Sequence, residues 1–406
     1  MNKYFIFIIA WLFSHHALSL TTSEKALWIE DIRYAQAQVK SGHINPFHSI
    51  TEDDFDASIK ELISKLDELN EPQVEVELMR IVASLKDGHS NYSLMSGPHR
   101  HYPFRLKYFN KSLRIIATTP EYNSLLGSEL VAINSRTLED LEKTLTPYLS
   151  GVDNHYSSMV RFAYQLTINK MLYGTGVTDK IDQAKFTFLN DGKLETRKVD
   201  TVEMAVFGSL SSAFPITSPE LDKQDIGMPG ISLSMLGEGQ TAYFDFNYYP
   251  SFNAITSQCS ALIKQLSSRN VQRLVVDFRD NDGGDFFIGL AFSSCLLQLD
   301  NIDWKTGVSV LINEGTFSAA MSNAAQYKQI LNAQLIGSPS GGDPNHYAET
   351  HRFSLLNSGR SLSVSKRYYG FTAKPSDALY PDRTGVQTWL DYQQGRDTVL
   401  LKLIQQ

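Results

Sequence analysis

The spacing of apolar and polar positions changes character three times along the chain. From about Ser23 to Lys86, stretches such as DDFDASIKELISKLDELN and VEVELMRIVASLK place apolar residues three and four apart, with acidic residues near their starts. That period predicts amphipathic helices, each with one face for a core. Asp87-Gly88 breaks the pattern and leaves His89 on the loop that follows. Residues 101–205 instead show short β-branched and aromatic runs (LRIIAT, SELVAIN, KFTFLN) between Gly, Asn and Asp turns, which read as mainly β. Helices are expected there at LEDLEKTLTPYL and YSSMVRFAYQLTINKML. The segment 207–239 is rich in Ser, Pro and Gly and reads as linker and edge structure.

After Gly239 the two periods alternate. TAYFDFNYY, RLVVDFR, VSVLIN and AQLIG read as strands, separated by the helical runs NAITSQCSALIKQLSS, FFIGLAFSSCLLQL and SAAMSNAAQYKQIL. Alternation of this kind implies crossover connections and a largely parallel sheet covered by helices, an α/β core. Ligand sites in such sheets lie beyond the carboxyl ends of the strands, where the loops DNDGGD and NEGTFS fall.

Composition narrows the function classes. The 406 residues are 42% hydrophobic and 20% charged, ordinary for a globular chain of two or three domains. The N-terminus carries Lys3, an apolar run from Tyr4 to Phe13 and the small-x-small site Ala17-Leu18-Ser19, which together read as a secretory signal over residues 1–19. A membrane anchor would need roughly 20 apolar residues. Signal removal takes the formal charge from -7 to -8, a balance that gives no support to nucleic-acid binding. The two cysteines, Cys259 and Cys295, fit either one disulfide or two buried thiols. No zinc-type Cys/His spacing or nucleotide-binding glycine loop is present, so no metal or cofactor is expected.

Three loops carry candidate chemistry. In Asp277–Gly284 the adjacent Gly283 and Gly284 could turn backbone N–H groups outward as an oxyanion hole, or could form a plain glycine turn. In NEGTFSAAMSNA, Ser318 sits at a helix start, where free N–H groups favour negative charge, and it is either a helix cap or a nucleophile. The third loop, 338–350, holds Asp343, His346 and Glu349, all able to orient or exchange protons. A serine nucleophile needs a base. Lys328, further along the same predicted helix, would be about 15 Å up its axis and out of reach. Lys366 and Lys374 stay open, and His89 and His346 titrate near neutrality without tuning.

Taken in order, these loops resemble the tail-specific, or C-terminal processing, serine peptidases. The family's Asp-apolar-Arg-x-Asn-x-Gly-Gly loop is matched by Asp277 to Gly284, its nucleophile segment by GTFSAA, and its C-terminal end by PDRTGV with GRDTVLLKLI. The processing peptidases place a lysine in the glycine loop, where this chain has Asp343. The sequence is therefore more similar to the branch of tricorn protease and interphotoreceptor retinoid-binding protein, in which a histidine comes from an Asp-Gly-His segment, here Asp87-Gly88-His89. The resemblance implies a ClpP/crotonase-like core over 240–406, a degenerate PDZ-like region over 101–206 and a helical domain over 20–100. It also implies an exported, periplasmic or extracellular serine peptidase acting on peptides or proteins, with Ser318 as nucleophile, His89 as base, and Gly283, Gly284 and Ala319 around the oxyanion. Asp343, His346, Glu349 and Asp377 are candidates to shape the pocket or orient His89, with Asp382 a further candidate acid. The same branch includes carriers of apolar ligands, so a noncatalytic binding module is the competing expectation.

Overall fold

The computed structural model describes residues 19–237 and 239–405; the expected signal segment lies almost entirely outside them. Helices α1 (Thr22–Gly42), α2 (Glu52–Ser64) and α3 (Glu71–Ala83) form the N-terminal part. Each begins where a side chain satisfies an orphan N–H: Thr21 and Asn70 form capping boxes with Glu24 and Gln73, and Thr51 accepts from the Asp54 N–H. The short strand β1 (Asn91–Tyr92) follows the His89 loop.

The middle region is a six-stranded sheet of β2 (Phe104–Phe109), β3 (Ser112–Thr118), β4 (Glu129–Ile133), β5 (Arg136–Thr137), β6 (Gln183–Asn190) and β7 (Lys193–Asp200), with α4 (Leu138–Leu145), α5 (His155–Gln165) and α6 (Asn169–Gly174) inserted. One long helix was expected over residues 156–172. Two form instead, because residues 166–168 leave the helical path and His101 bridges to Ile168 there. The middle sheet and the N-terminal helices share one apolar core, with Val76, Met79, Phe104, Ile133 and Phe186 all buried within it.

After α7 (Met204–Gly208), strands β8 (Gln224–Asp225) and β9 (Ile231–Leu236) open a seven-stranded sheet. The sheet therefore starts before residue 240: β9 pairs antiparallel with β10 (Thr241–Phe246), inside the stretch read from sequence as linker and edge. Then α8 (Phe252–Ser268), β11 (Arg273–Asp277), α9 (Phe286–Leu296), β12 (Val308–Ile312), α10 (Ser318–Ile330) and β13 (Gln334–Gly337) alternate, with β10 to β13 mutually parallel as the pattern predicts. Val276, Val310 and Leu335 are fully buried strand residues beneath the apolar faces of α8, α9 and α10. A disulfide joins Cys259 of α8 to Cys295 of α9, Cα–Cα 5.7 Å.

The chain then makes a long hairpin, β14 (Asn345–Ser354) and β15 (Ser361–Gly370), before β16 (Arg383–Thr384), α11 (Trp389–Gln393) and α12 (Thr398–Ile404). Strand β1 pairs with β15, Asn91 opposite Ser363 and Tyr92 opposite Leu362, giving a three-stranded sheet that bolts the N-terminal part to the core. No helix among the described residues is long and apolar enough to cross a membrane.

Candidate active site

Ser318 stands where β12 hands over to α10. Its backbone is left-handed, φ +49°, a conformation that costs a non-glycine residue about 1–3 kcal/mol and persists only where its surroundings impose it. The helix is capped without its hydroxyl, since the Phe317 carbonyl accepts from the Ala320 and Met321 N–H groups. Ser318 Oγ is thus left for another partner, and it lies 2.8 Å from His89 Nε2. Of the two readings of Ser318, the cap is overturned.

His89 is brought there by backbone geometry. Asp87, fully buried, accepts the His89 N–H on Oδ1 at 2.8 Å, together with the Ser365 hydroxyl, while Oδ2 accepts from Ser90 and pairs with His43 Nε2. Burial alone would raise the Asp87 pKa, but these hydrogen bonds, His43 foremost, hold it below the usual carboxylate value. The Ser363 hydroxyl donates to the His89 carbonyl, so the β1–β15 pairing fixes both sides of the residue. The imidazole is flanked by Phe317 and His346, ring centroids 5.3 and 5.6 Å away. Its pKa is lowered by burial, against the opposing pull of the Asp87 charge. His89 Nδ1 is buried without a hydrogen-bond partner among the described residues, and the Tyr347 backbone favours the protonated form.

Gly283 faces the serine. With φ +105° it occupies backbone space closed to other residues, and a Cβ there would come within 2.6 Å of Ser318 Cβ and 2.8 Å of the Ala319 nitrogen. Its own N–H donates to Asn281 Oδ1 at 2.9 Å, so it does not serve as the free donor expected from sequence. The Gly284 and Ala319 N–H groups, by contrast, have no acceptor among the described residues, and both residues line the same cleft as Ser318.

That cleft, about 440 Å³, is also lined by His346 and Glu349, and by Arg161, Asp282 and Arg352, which sequence did not single out. Nothing in the local sequence marked Arg161 or Arg352, which the fold alone gathers, whereas Asp282 immediately precedes the Gly283-Gly284 pair. A larger cavity of about 940 Å³ lies where β2, β12 and the C-terminal segment meet, and includes neither His89 nor Ser318. Of the candidate acids, Glu349 alone reaches the cleft, left-handed at φ +57° and accepting from the Tyr369 hydroxyl. Asp343 turns to Asn154 at 2.9 Å, Asp377 to the Tyr380 hydroxyl, and Asp382 to Lys328 and the Leu335 N–H. Burial raises the Asp343 pKa to about 7, against the Asn154 hydrogen bond. His346 is pushed down to about 4 by burial and the nearby His89. No lysine lines the cleft among the described residues, so the structure does not bring Lys366 or Lys374 to Ser318.

A half-buried imidazole hydrogen-bonded to a serine hydroxyl can accept its proton, and the two neighbouring backbone N–H groups can hold an oxyanion. No family model and no curated protein matches the sequence. Among solved structures, mature CPAF complexed with lactacystin superposes with TM-score 0.62 at 12% identity, over 94% of this chain and 97% of that chain. A Ser-to-Ala mutant of CPAF gives TM-score 0.62 at 12% identity, over 91% and 95%. The photosystem II D1 C-terminal processing protease aligns at TM-score 0.44 and 15% identity, over 95% and 97%. The chain shares the fold of mature CPAF across nearly its whole length.

Proposed function

We propose that this chain is a serine peptidase that cleaves peptide or protein substrates through an acyl-enzyme on Ser318. The observation that carries the proposal is the 2.8 Å approach of His89 Nε2 to Ser318 Oγ. In the first half-reaction His89 takes the Ser318 proton as Oγ bonds to the scissile carbonyl carbon. The carbonyl oxygen, now negative, is received by the Gly284 and Ala319 N–H groups. Collapse expels the amine, which takes the proton back from His89. Water, activated by the same imidazole, then releases the acid and restores the hydroxyl.

The likeness to mature CPAF supports the fold within which this reading is made, and the sequence resemblance to tail-specific peptidases supports the activity. We further infer a ClpP/crotonase-like core and a degenerate PDZ-like middle region. Export to the periplasm or outside the cell is supported by the signal-like N-terminus and by the Cys259–Cys295 disulfide, a bond suited to oxidising compartments. The apolar-carrier alternative is disfavoured by the cleft, whose lining mixes Arg161, Arg352, Asp282 and Glu349 around a paired serine and histidine. Incubation with a mixture of unstructured polypeptides, read by mass spectrometry, tests the proposal. Cleavage by the wild type that disappears in Ser318→Ala supports it, and equal cleavage by both, or by neither, overturns it.

A further inference from the structure

The turn bearing His89 is held from behind by a segment of the middle region. Gly88 donates its N–H to Asp153 Oδ1 at 2.6 Å, and a Cβ at residue 88 would fall 2.4 Å from that same oxygen. The adjacent Asn154 accepts the Tyr156 and Ser157 N–H groups to cap α5, and its Nδ2 donates to the Ser340 carbonyl at 3.2 Å and to Asp343 Oδ1 at 2.9 Å. The glycine loop reached in this way is itself tied to the nucleophile loop, through the Gly341 N–H and the Thr316 carbonyl. Two consecutive side chains therefore connect the base, the glycine loop and the serine, while lying outside the cleft themselves.

We propose that Asp153 and Asn154 are positioning residues that clip the Gly88 turn to the glycine loop and so aim His89 at Ser318. The inference rests on the serine–histidine reading for its kinetic consequence, and on the hydrogen bonds alone for its structural one. What Asp153 must supply is an acceptor rather than a charge. Although the residue as a whole is only partly buried, its Oδ2 is fully shielded and has no partner among the described residues. Burial, followed by the charges of Asp343 and Asp87, raises its pKa well above the usual carboxylate value. An amide oxygen in the same place would accept the Gly88 N–H equally well. Asn154 contributes a second arm, its two-proton Nδ2 donor, beside the capping oxygen; a serine, though an equally good helix cap, has a single hydroxyl one bond nearer the backbone and cannot make both contacts.

The full chain is compared with Asp153→Ala, Asp153→Asn and Asn154→Ser, reading Ser318 labelling by a fluorophosphonate, kcat and KM on a cleaved peptide, and the imidazole ¹⁵N resonances of His89. Misplacement of a base by about 1 Å costs on the order of 100-fold. Asp153→Ala is expected to lose about that factor in kcat with KM little changed, while Asp153→Asn stays within about fivefold of wild type; Asn154→Ser is expected to fall about tenfold. Should Asp153→Ala fail to fold, the Asn154→Ser and Asp153→Asn variants decide. Wild-type labelling in Asn154→Ser, or a folded Asp153→Asn as impaired as a misplaced base, overturns the proposal. A wild type inert to probe and peptide refutes the hydrolase reading alone. In that case displaced His89 resonances in Asn154→Ser still support the clip, and unchanged ones overturn it.

Discussion

His89 Nε2 and Ser318 Oγ lie 2.8 Å apart although they stand 229 positions apart in the chain. Their meeting depends on a strand pairing. The hairpin β14–β15 leaves the α/β core after Ser318 and offers β15 to β1, whose residues 91–92 begin two positions past the histidine. Local backbone strain at Ser318 and the Asp87 hydrogen bonds at His89 then set the final approach.

Burial lowers the His89 pKa, and the sign of its effect on rate follows directly. The base must be neutral, so activity is full above this pKa and is lost as pH falls through it. The acidic limb of kcat/KM is therefore expected below the ordinary histidine value of about 6.5. Glu349 favours the charged ring, so Glu349→Gln should move that limb further down, and Arg161→Gln, which removes an opposing positive charge, should move it up. A limb above about 6.5 that neither variant moves would contradict the assignment of His89 as the base.

Gly283→Ala should silence the site by crowding rather than by unfolding. The added carbon would meet Ser318 Cβ at 2.6 Å and the Ala319 nitrogen at 2.8 Å. Disturbing one oxyanion donor costs about 10²- to 10³-fold in kcat, and a loss of that size is expected. Gly192→Ala provides the control, because residue 192 also has positive φ but nothing within 4 Å of the added carbon. It should cost stability and leave kcat alone; equal kinetic losses in the two variants would point to general strain.

The Arg279 guanidinium, on the loop leading to Gly283, reaches both Asp277 and Asp397, with both Arg279–Asp397 contacts at 3.0 Å or shorter. Side-chain exposures of 15%, 6% and 11% make this a shielded network in which removing the cation strands two carboxylates. Burial would raise the Asp397 pKa, yet Arg279 holds it below its usual value. Arg279→Ala should destabilise the chain by about 3–5 kcal/mol, measured by denaturant unfolding, and should also loosen the C-terminal α12 that Asp397 caps. A loss below about 1 kcal/mol, the range of exposed pairs, would show that the network carries little.

Ser318 and His89, the proposed nucleophile and base, could be singled out in the sequence because each sits in a loop whose neighbours are themselves informative. The Gly283-Gly284 pair and the Asp87-Gly88 step mark sharp backbone turns, and the alternating periods place Ser318 at a strand's carboxyl end. The β14–β15 hairpin went unread, although SLSVSKRYYG begins with the alternation of a half-buried strand and does bury Leu362 and Val364. Without it nothing in the sequence says how residue 89 could reach residue 318. Asn154 carries an ordinary helix-cap signal, but its second set of hydrogen bonds, to residues 340 and 343, depends on tertiary placement. The choice between disulfide and thiols at Cys259 and Cys295 likewise waited on the distance between α8 and α9.

The central claim, that Ser318 is a nucleophile activated by His89, is tested most directly by intact-mass measurement after exposure to a fluorophosphonate probe. One probe adduct per wild-type chain, mapped to Ser318, absent from Ser318→Ala and formed at least about 100-fold more slowly in His89→Ala, is the result predicted. An unmodified wild type, or labelling that persists in Ser318→Ala, would contradict it.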